Sequence, residues 1–443
     1  MPESFRHPYL PNTDEQRRAM LAAVGAASQD ELFADIPAAY RNPELRLPPP
    51  LTELELRREL EALATRNAVP GEYTCFLGGG VSRHFIPSVV SALISRGEFL
   101  TPYTPYQPEV SQGTLQATYE FQSLVAQLTG MDVANAGMYE GASAMAEAAL
   151  MACRITRRYG VVALDTVNPA YREVVATYTA PQGIALRTVT AEDLTLTEQD
   201  ACVLVQSPNF FGSLEDLERL RLATRARGAL LVVATDLVPL GMLKPPGEYG
   251  ADIVVGECQT AGVPTSFGGP YVGFFTCREQ HVRQMPGRVV GRTVDRNGRT
   301  AYVLTLQTRE QHIRRERATS NICTSEALVA TAVAMHLAVM GKHGFRQVAE
   351  QCYHKAHYAA SRLAALPGFS LALNGTGVFF NEFVLRCPTP PARLLERLLE
   401  RRILGGLDVS DAVPNGLLVC VTEMNTRAEI DGYVEAVGEV TQR

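Results

Sequence analysis

Two neighbouring stretches decide the fold: DLVPLG (236–241) and GADIVVGECQTAGVPTSFGGPYVGFF (250–275). The first follows LLVVAT (230–235), so Asp236 closes an apolar strand. DIVVG (252–256) reads as a second strand, and a glycine-rich turn leads into YVGFF (271–275). Short β-branched runs without polar alternation are expected where a strand is covered on both faces, as in a parallel sheet.

The same signature recurs upstream in DVANA (132–136), VVAL (161–164), IALRTV (184–189) and CVLVQ (202–206), with helical patterns between several of them. The expectation is an α/β chain with a mainly parallel central sheet. A long helical stretch follows over 325–366, with Ser325 placed to cap it. FFNEFVLRC, PARLLERLLERRI and GLLVCVT then read as strand, helix and strand, with Asn425 and Thr426 capping a last helix. Before all of this, Thr13–Gln16, Ser28–Glu31 and Thr52–Glu55 resemble capping boxes of short helices. The expected division is a helical N-terminal arm over 1–75, a large α/β domain over 76–325, and a long helix with a small α/β domain over 326–443.

With 46% hydrophobic residues and a net charge of −6, the 443-residue chain is not built as a nucleic-acid surface. No run of 18 apolar residues suggests a membrane partner, and the leading residues lack a signal peptide's apolar core; a cytoplasmic location is expected. Nine cysteines without a CxxC pair read as reduced thiols. Cys352, His354 and His357 fall at helical spacings that do not converge, so no metal site is expected. Only three lysines, Lys244, Lys342 and Lys355, stand among the 41 cationic residues. Chemistry that needs an amine therefore has few places to sit.

Four segments could carry chemistry. MYEGASAMAEAALMA (138–152) is a glycine turn entering a helix, equally readable as an anion site or a plain strand–helix junction. TPYTPYQPEVSQGTLQ (101–116) holds aromatic and polar groups in a proline-stiffened loop, as a surface linker or as the lip of a site. FLGGGVSRHFIP (76–87) places His84 beside a glycine turn. TREQHIRRERATSNICTS (308–325) is either a solvated face laced with Glu310 and Glu316 or an anion-recognising segment. The AsnGly hairpin before it, over 287–307, reads as its support.

Together, TPYTPYQPEVSQGTLQ, MDVANAGMYEGASAMAEA, SFGGPYVGFF and TLQTREQHIRRERATSNICTSEAL resemble, in order and over nearly the whole chain, the glycine-cleavage P-proteins. The resemblance is to the alpha subunit of their two-chain form. It implies the aspartate-aminotransferase-like fold of pyridoxal-phosphate (PLP)-dependent transferases and the glycine dehydrogenase (aminomethyl-transferring) reaction. In that reaction glycine is decarboxylated and its aminomethyl group passes to the lipoyl group of H-protein. In that fold an aspartate, here matched by Asp236, pairs with the pyridine nitrogen, and a lysine after the next strand holds the cofactor. The matching turn, GADIVVGECQTAG, has no lysine. PLP is therefore implied to sit on a partner beta subunit, in an alpha2beta2 assembly.

By motif match, Tyr103, Tyr106, Gln107, Glu109 and His84 are assigned to catalysis at a shared site, and Thr319, Ser320 and Asn321 to cofactor binding. Ser82 stands where the family pattern has a tyrosine. The competing expectation is a catalytically silent, structural or regulatory partner of a PLP enzyme.

Overall fold

The computed structural model describes Tyr9, residues 11–41 and residues 43–441. The chain separates into two compact units, residues 1–67 and 68–443. In the first, Thr13 and Thr52 each accept from the backbone N–H three residues on, in true capping boxes that open helices Asp14–Val24 and Glu53–Ala64. Ser28 does not form the expected box. It precedes a 3₁₀ turn, Gln29–Phe33, with no side-chain cap, and the Glu31 carboxylate accepts from Ala27 N–H instead. No side chain of the two helices is buried.

The second unit is built on a seven-stranded sheet. Its strands are β1 (Val133–Ala134), β2 (Gly160–Leu164), β3 (Ala185–Val189), β4 (Asp200–Gln206), β5 (Leu230–Asp236), β6 (Ile253–Glu257) and β7 (Gly273–Cys277). They lie in the order 1-7-6-5-4-2-3. Strands β3, β2, β4, β5 and β6 are parallel neighbours, and β7 runs antiparallel to both β6 and β1. Each of the seven apolar runs read between 132 and 275 enters this sheet. Strands β4 and β6 are buried almost throughout, as their lack of alternation requires. The alanine-rich helix Gly141–Thr156 is buried from Gly141 to Cys153 and packs on the sheet's core residues.

Helix Ala327–Ala364 joins this core to a second one. Val333, Leu337 and Ala349 pack in the first, while Ala356, Ala359 and Leu363 pack in the second. Gly341, at φ 59° and ψ 177°, breaks the helix between those stretches. The expected cap does not form: the N-cap residue is Glu326 rather than Ser325, and it makes no capping hydrogen bond. The second core lies under an antiparallel sheet of Ser370–Leu371, Glu382–Arg386, Gly416–Cys420 and Leu407–Asp408. Thr426 and Glu429 cap its last helix reciprocally. Thr74 and Cys75 pair with Ile403 and Leu404, so the chain just before the glycine turn at 78–80 is tied to this C-terminal lobe.

The register sets Asp236 directly beside Glu257 at the carboxyl ends of β5 and β6. Gly256 permits that closeness, since a Cβ there would lie 1.8 Å from the Thr235 carbonyl oxygen. Gly256→Ala is expected to cost about 1–3 kcal/mol through overpacking, read as a lower midpoint in thermal or denaturant unfolding. An unchanged midpoint would show that the strands have slack here.

Candidate functional site

Open parallel sheets place their sites beyond the carboxyl ends of the strands, and here that end holds a narrow cavity of about 70 Å³. Asp236, Glu257, Tyr171, Gln206 and Asn168 line it from the large sheet. Gly80, Ser82 and His84 come from the glycine turn, and Asn381 and Glu382 from the C-terminal lobe. No lysine or arginine lines it.

Its carboxylates are bound inward. Asp236 Oδ1 accepts from the Thr260 hydroxyl and from Val238 N–H at 3.0 Å. Glu257 accepts from Gly141 N–H and Cys258 N–H, both at 3.0 Å. Burial pushes the Glu257 carboxyl up to about 8, and the charges of Glu140 and Asp236 add to that against the two N–H bonds. Glu382 accepts from Gly79 N–H at 2.7 Å, and burial pushes it up to about 7, with Asp236 adding. Burial likewise raises Asp236.

The glycine turn at 138–143, open in the sequence to two readings, is closed by its own chain. Glu140 accepts from Ala142 and Ser143 N–H at 2.5 and 2.8 Å, and Glu257 takes Gly141 N–H. Those N–H groups are the ones with which a helix start would hold a phosphate. Tyr171 presses on the same turn, its hydroxyl 2.2 Å from where a Cβ on Gly141 would lie.

The lysine-free turn after β6 is also engaged. Gln259 accepts from Ser82 N–H and donates to the carbonyls of Ser82 and Val263, at 2.9–3.1 Å. Of the lysines, Lys355 donates to the Glu423 carbonyl and Lys244 lies over the Tyr249 ring. None reaches the cavity.

His84 lies at the cavity, between Ser82 Oγ at 3.0 Å and Glu423 Oε2 at 2.8 Å. Cys352 Sγ donates to the same Glu423 oxygen. His84, Cys352 and Glu423 could offer three ligand atoms within 4.8 Å of one another. They are already joined by hydrogen bonds, and burial raises the Cys352 thiol well above its usual range, against the thiolate that a metal needs.

The other assigned residues lie elsewhere. Tyr103 donates to or accepts from Thr324 Oγ1 at 3.0 Å, and the Tyr106 ring meets Arg288 at 5.6 Å and His312 at 5.9 Å. Gln107 and Glu109 are exposed. Thr319, Ser320 and Asn321 line a separate cavity of about 530 Å³ with Glu147 and Arg154, and Ser320 donates to Glu147 at 2.6 Å. One chain therefore does not gather all the assigned residues into one cavity. Sequence reasoning missed Glu257, Glu382 and Tyr171. Of the two readings of 308–325, the solvated face does not hold for Glu310, which is buried 3.3 Å from Arg288. The hairpin does support the arginine segment, through Arg309 donating to the carbonyls of Met285, Leu306 and Gly287.

This sheet order, with an aspartate ending one strand and a glycine turn entering a helix beside it, is the architecture of PLP-dependent fold-type I enzymes. A sphingosine-1-phosphate lyase of Burkholderia pseudomallei shares the fold with TM-score 0.61 at 15% identity, over 91% of this chain and 94% of that one. The chain belongs to the glycine cleavage system P-protein family, which matches residues 7–437. It is 51% identical to the probable glycine dehydrogenase (decarboxylating) subunit 1 of Desulfitobacterium hafniense, over 98% of this chain and 99% of that protein. It is 52% identical to the protein of the same description from Moorella thermoacetica, over 97% and 98%. A crystal structure of glycine decarboxylase (P-protein) of the glycine cleavage system, in inhibitor-bound form, superposes with TM-score 0.92 at 45% identity, over 98% of this chain and 100% of that one.

The cavity at the strand ends does not fit the cofactor of that fold. It falls well short of the ~300 Å³ at which small-molecule pockets begin. It is lined by carboxylates, its helix-start N–H groups are taken, and it offers no amine.

The raised carboxyl of Glu257 makes stability depend on pH in a definite direction. Below the ordinary carboxylate range both states hold the proton. Between that range and about 8 the folded state keeps a proton that the unfolded chain has lost, so stability falls as pH rises through this window. Glu257→Gln, which mimics the protonated group, is expected to flatten that fall. Melting temperatures of the two proteins measured between about pH 5 and pH 9 should converge at the acid end and separate toward alkaline pH; parallel profiles would remove Glu257 as the cause.

Proposed function

We propose that this chain is the subunit of a two-subunit glycine decarboxylase that does not hold the cofactor. A second, PLP-bearing beta subunit and this chain, paired as alpha2beta2, decarboxylate glycine and pass the aminomethyl group to the lipoyl group of H-protein. Tyr103, Tyr106, Gln107, Glu109, His84, Thr319, Ser320 and Asn321 are this chain's contribution to a site shared across the interface. A cytoplasmic location goes with this reading.

The observation that carries it is the closed cavity in a chain of this family. Glu140 and Glu257 fill the anion-binding helix start, and Gln259 fastens the turn where an amine is needed. The electron-sink chemistry is the cofactor's own, so a chain that cannot hold PLP contributes orientation and exclusion of water. The stiff segment 101–111, which ends where helix Gln112–Thr129 begins, suits that task. Its prolines fix the backbone, and Tyr103 and Tyr106 stand 68% and 51% exposed, with room to be covered by a neighbour. The N-terminal unit, with Leu54, Leu56, Leu60 and Leu63 all exposed, suits wrapping around a second subunit.

The same closed cavity also favours the second reading, a silent structural partner. The two are separated by Tyr106→Phe in the assembled complex. Exchange of labelled bicarbonate into the glycine carboxyl group is expected to fall by about tenfold or more if the tyrosine acts at the shared site, and to be normal if this chain is scaffold. An absorbance scan between about 300 and 500 nm with added PLP should show no imine band for this chain alone, and a band only once the second subunit is mixed in. A stable band from this chain by itself would overturn the proposal.

A further inference from the structure

A hydroxyl, an imidazole and a carboxylate stand in a row behind one wall of the strand-end cavity. Ser82 Oγ lies 3.0 Å from His84 Nε2, and His84 Nδ1 lies 2.8 Å from Glu423 Oε2. The glycine turn supplies the first two and the C-terminal lobe the third, so only the folded chain assembles them. The His84 and Glu423 side chains are 4% and 8% exposed, which shields their contact from water. Glu423 also accepts from Phe85 N–H at 2.7 Å and from the Cys352 thiol. Burial alone would raise its carboxyl, but the bond and charge of His84 and the Phe85 N–H hold it below the ordinary carboxylate range. A carboxylate only accepts, so His84 Nδ1 donates to it, and Nε2 of the neutral ring is left to accept from the Ser82 hydroxyl. That is the tautomer with which an imidazole takes a proton from an alcohol.

The turn does not need the Ser82 hydroxyl to hold its place. Gln259 accepts from Ser82 N–H at 3.1 Å and donates to the Ser82 carbonyl at 2.9 Å, which fixes the residue through its main chain. The hydroxyl itself meets only His84 among the described residues. Ser82 and His84 both line the cavity. Where the family pattern has a tyrosine, this chain therefore presents a primary alcohol with a base beside it.

The same cavity holds two amide donors with nothing to donate to. Asn168 Oδ1 accepts from Ala170 N–H, and Gln206 Oε1 accepts from Asn168 N–H, which assigns the two oxygens. The NH2 groups opposite them make no hydrogen bond among the described residues, and both side chains line the cavity. Asn168 Nδ2 lies 3.1 Å from where a Cβ on Gly80 would stand, beside the turn that carries Ser82. Fixed amide donors near a nucleophile are what a developing oxyanion requires.

Size and charge narrow the substrate. A water takes about 10–15 Å³ of such space, so a cavity of about 70 Å³ has room for a few waters or one short acyl group. Gly80, which is exposed, marks its opening to solvent. Asp236, Glu257 and Glu382 in its lining disfavour a second negative charge.

We propose that Ser82, His84 and Glu423 form a catalytic triad that cleaves esters of short, uncharged acyl groups, with Asn168 and Gln206 as donors to the oxyanion. Ser82 Oγ bonds the acyl carbon while its proton passes to His84 Nε2. The bond from that carbon to the leaving oxygen then breaks, and the departing alcohol takes the proton from His84. Water repeats the sequence on the acyl-serine, releasing the acid and restoring the hydroxyl. Glu423 is a positioning residue, acting through the imidazole. The activity needs neither a second subunit nor PLP, so it stands or falls apart from the proposed function.

The test is incubation of the full chain with p-nitrophenyl acetate, followed by nitrophenolate release and by mass spectrometry of acid-quenched protein. Saturable release is expected, with an acetyl group that maps to Ser82. The mapping uses the unaltered chain, so it holds whether or not a variant folds. Ser82→Ala should slow release by about tenfold or more. Glu423→Gln should lower kcat by about tenfold with KM little changed, a split that a merely structural loss would not produce. The hexanoate ester, too long for the cavity, should react at least about tenfold more slowly. Acetyl groups found only on other residues, or equal release by Ser82→Ala, would overturn the triad. An unchanged kcat in Glu423→Gln would overturn the part given to the carboxylate, and a hexanoate as fast as the acetate would overturn the cavity as the acyl site.

Discussion

The hydrogen bonds from Gly141 to Glu257, and from Ala142 and Ser143 to Glu140, tie the start of a buried helix to the end of a central strand. Everything at that end of the sheet is arranged around them. Because carboxylates already satisfy the helix start, no outside anion is needed there. Because Glu257 stands beside Asp236 in register, two acidic groups share a site from which water is largely excluded. Burial raises both carboxyls, and the charge of Asp236 raises Glu257 further, as the cost of burying unpaired charge requires. The fold keeps the shape of a cofactor site while the side chains fill it.

Much of this architecture was legible in the residues. VVAL, CVLVQ, LLVVAT and DIVVG carry consecutive β-branched and aliphatic side chains, a pattern that only a doubly covered strand tolerates, and each enters the sheet. Thr13 and Thr52 announce their helices because a capping box is a local device whose partners lie three residues apart. Ser28 carries the same pattern and fails, since a 3₁₀ turn there leaves Glu31 bonded to Ala27 instead. Ser325 fails likewise, its place at the N-cap taken by Glu326.

The site was less legible because its partners are far apart in the chain. Glu382 meets Gly79 across 303 positions, and Glu423 meets His84 across 339. No local spacing announces either pair. Glu310, set among arginines and glutamates, has the look of a surface residue. The hairpin that precedes it folds back and buries it against Arg288. Asp236 and His84 could be singled out because a strand end and a glycine turn are local signals. The missing lysine was equally plain, but that the vacancy is sealed by Glu140, Glu257 and Gln259 needed the folded chain.

The break at Gly341 bears on how the two cores communicate. An unbroken helix from Ala327 to Ala364 would run roughly 57 Å at 1.5 Å per residue and act as a strut, carrying any tilt of one lobe rigidly to the other. With a glycine at φ 59° in its course, the helix is jointed. The lobes are latched instead at the cavity itself, where Glu382 and Glu423 of the C-terminal lobe grip the backbone of Gly79 and Phe85. The C-terminal lobe also meets the chain beyond β4, where Leu214 N–H donates to Val378 and Phe380 N–H to Gly212, so a tilt of that lobe is handed to the sheet both there and through the glycine turn and Gln259.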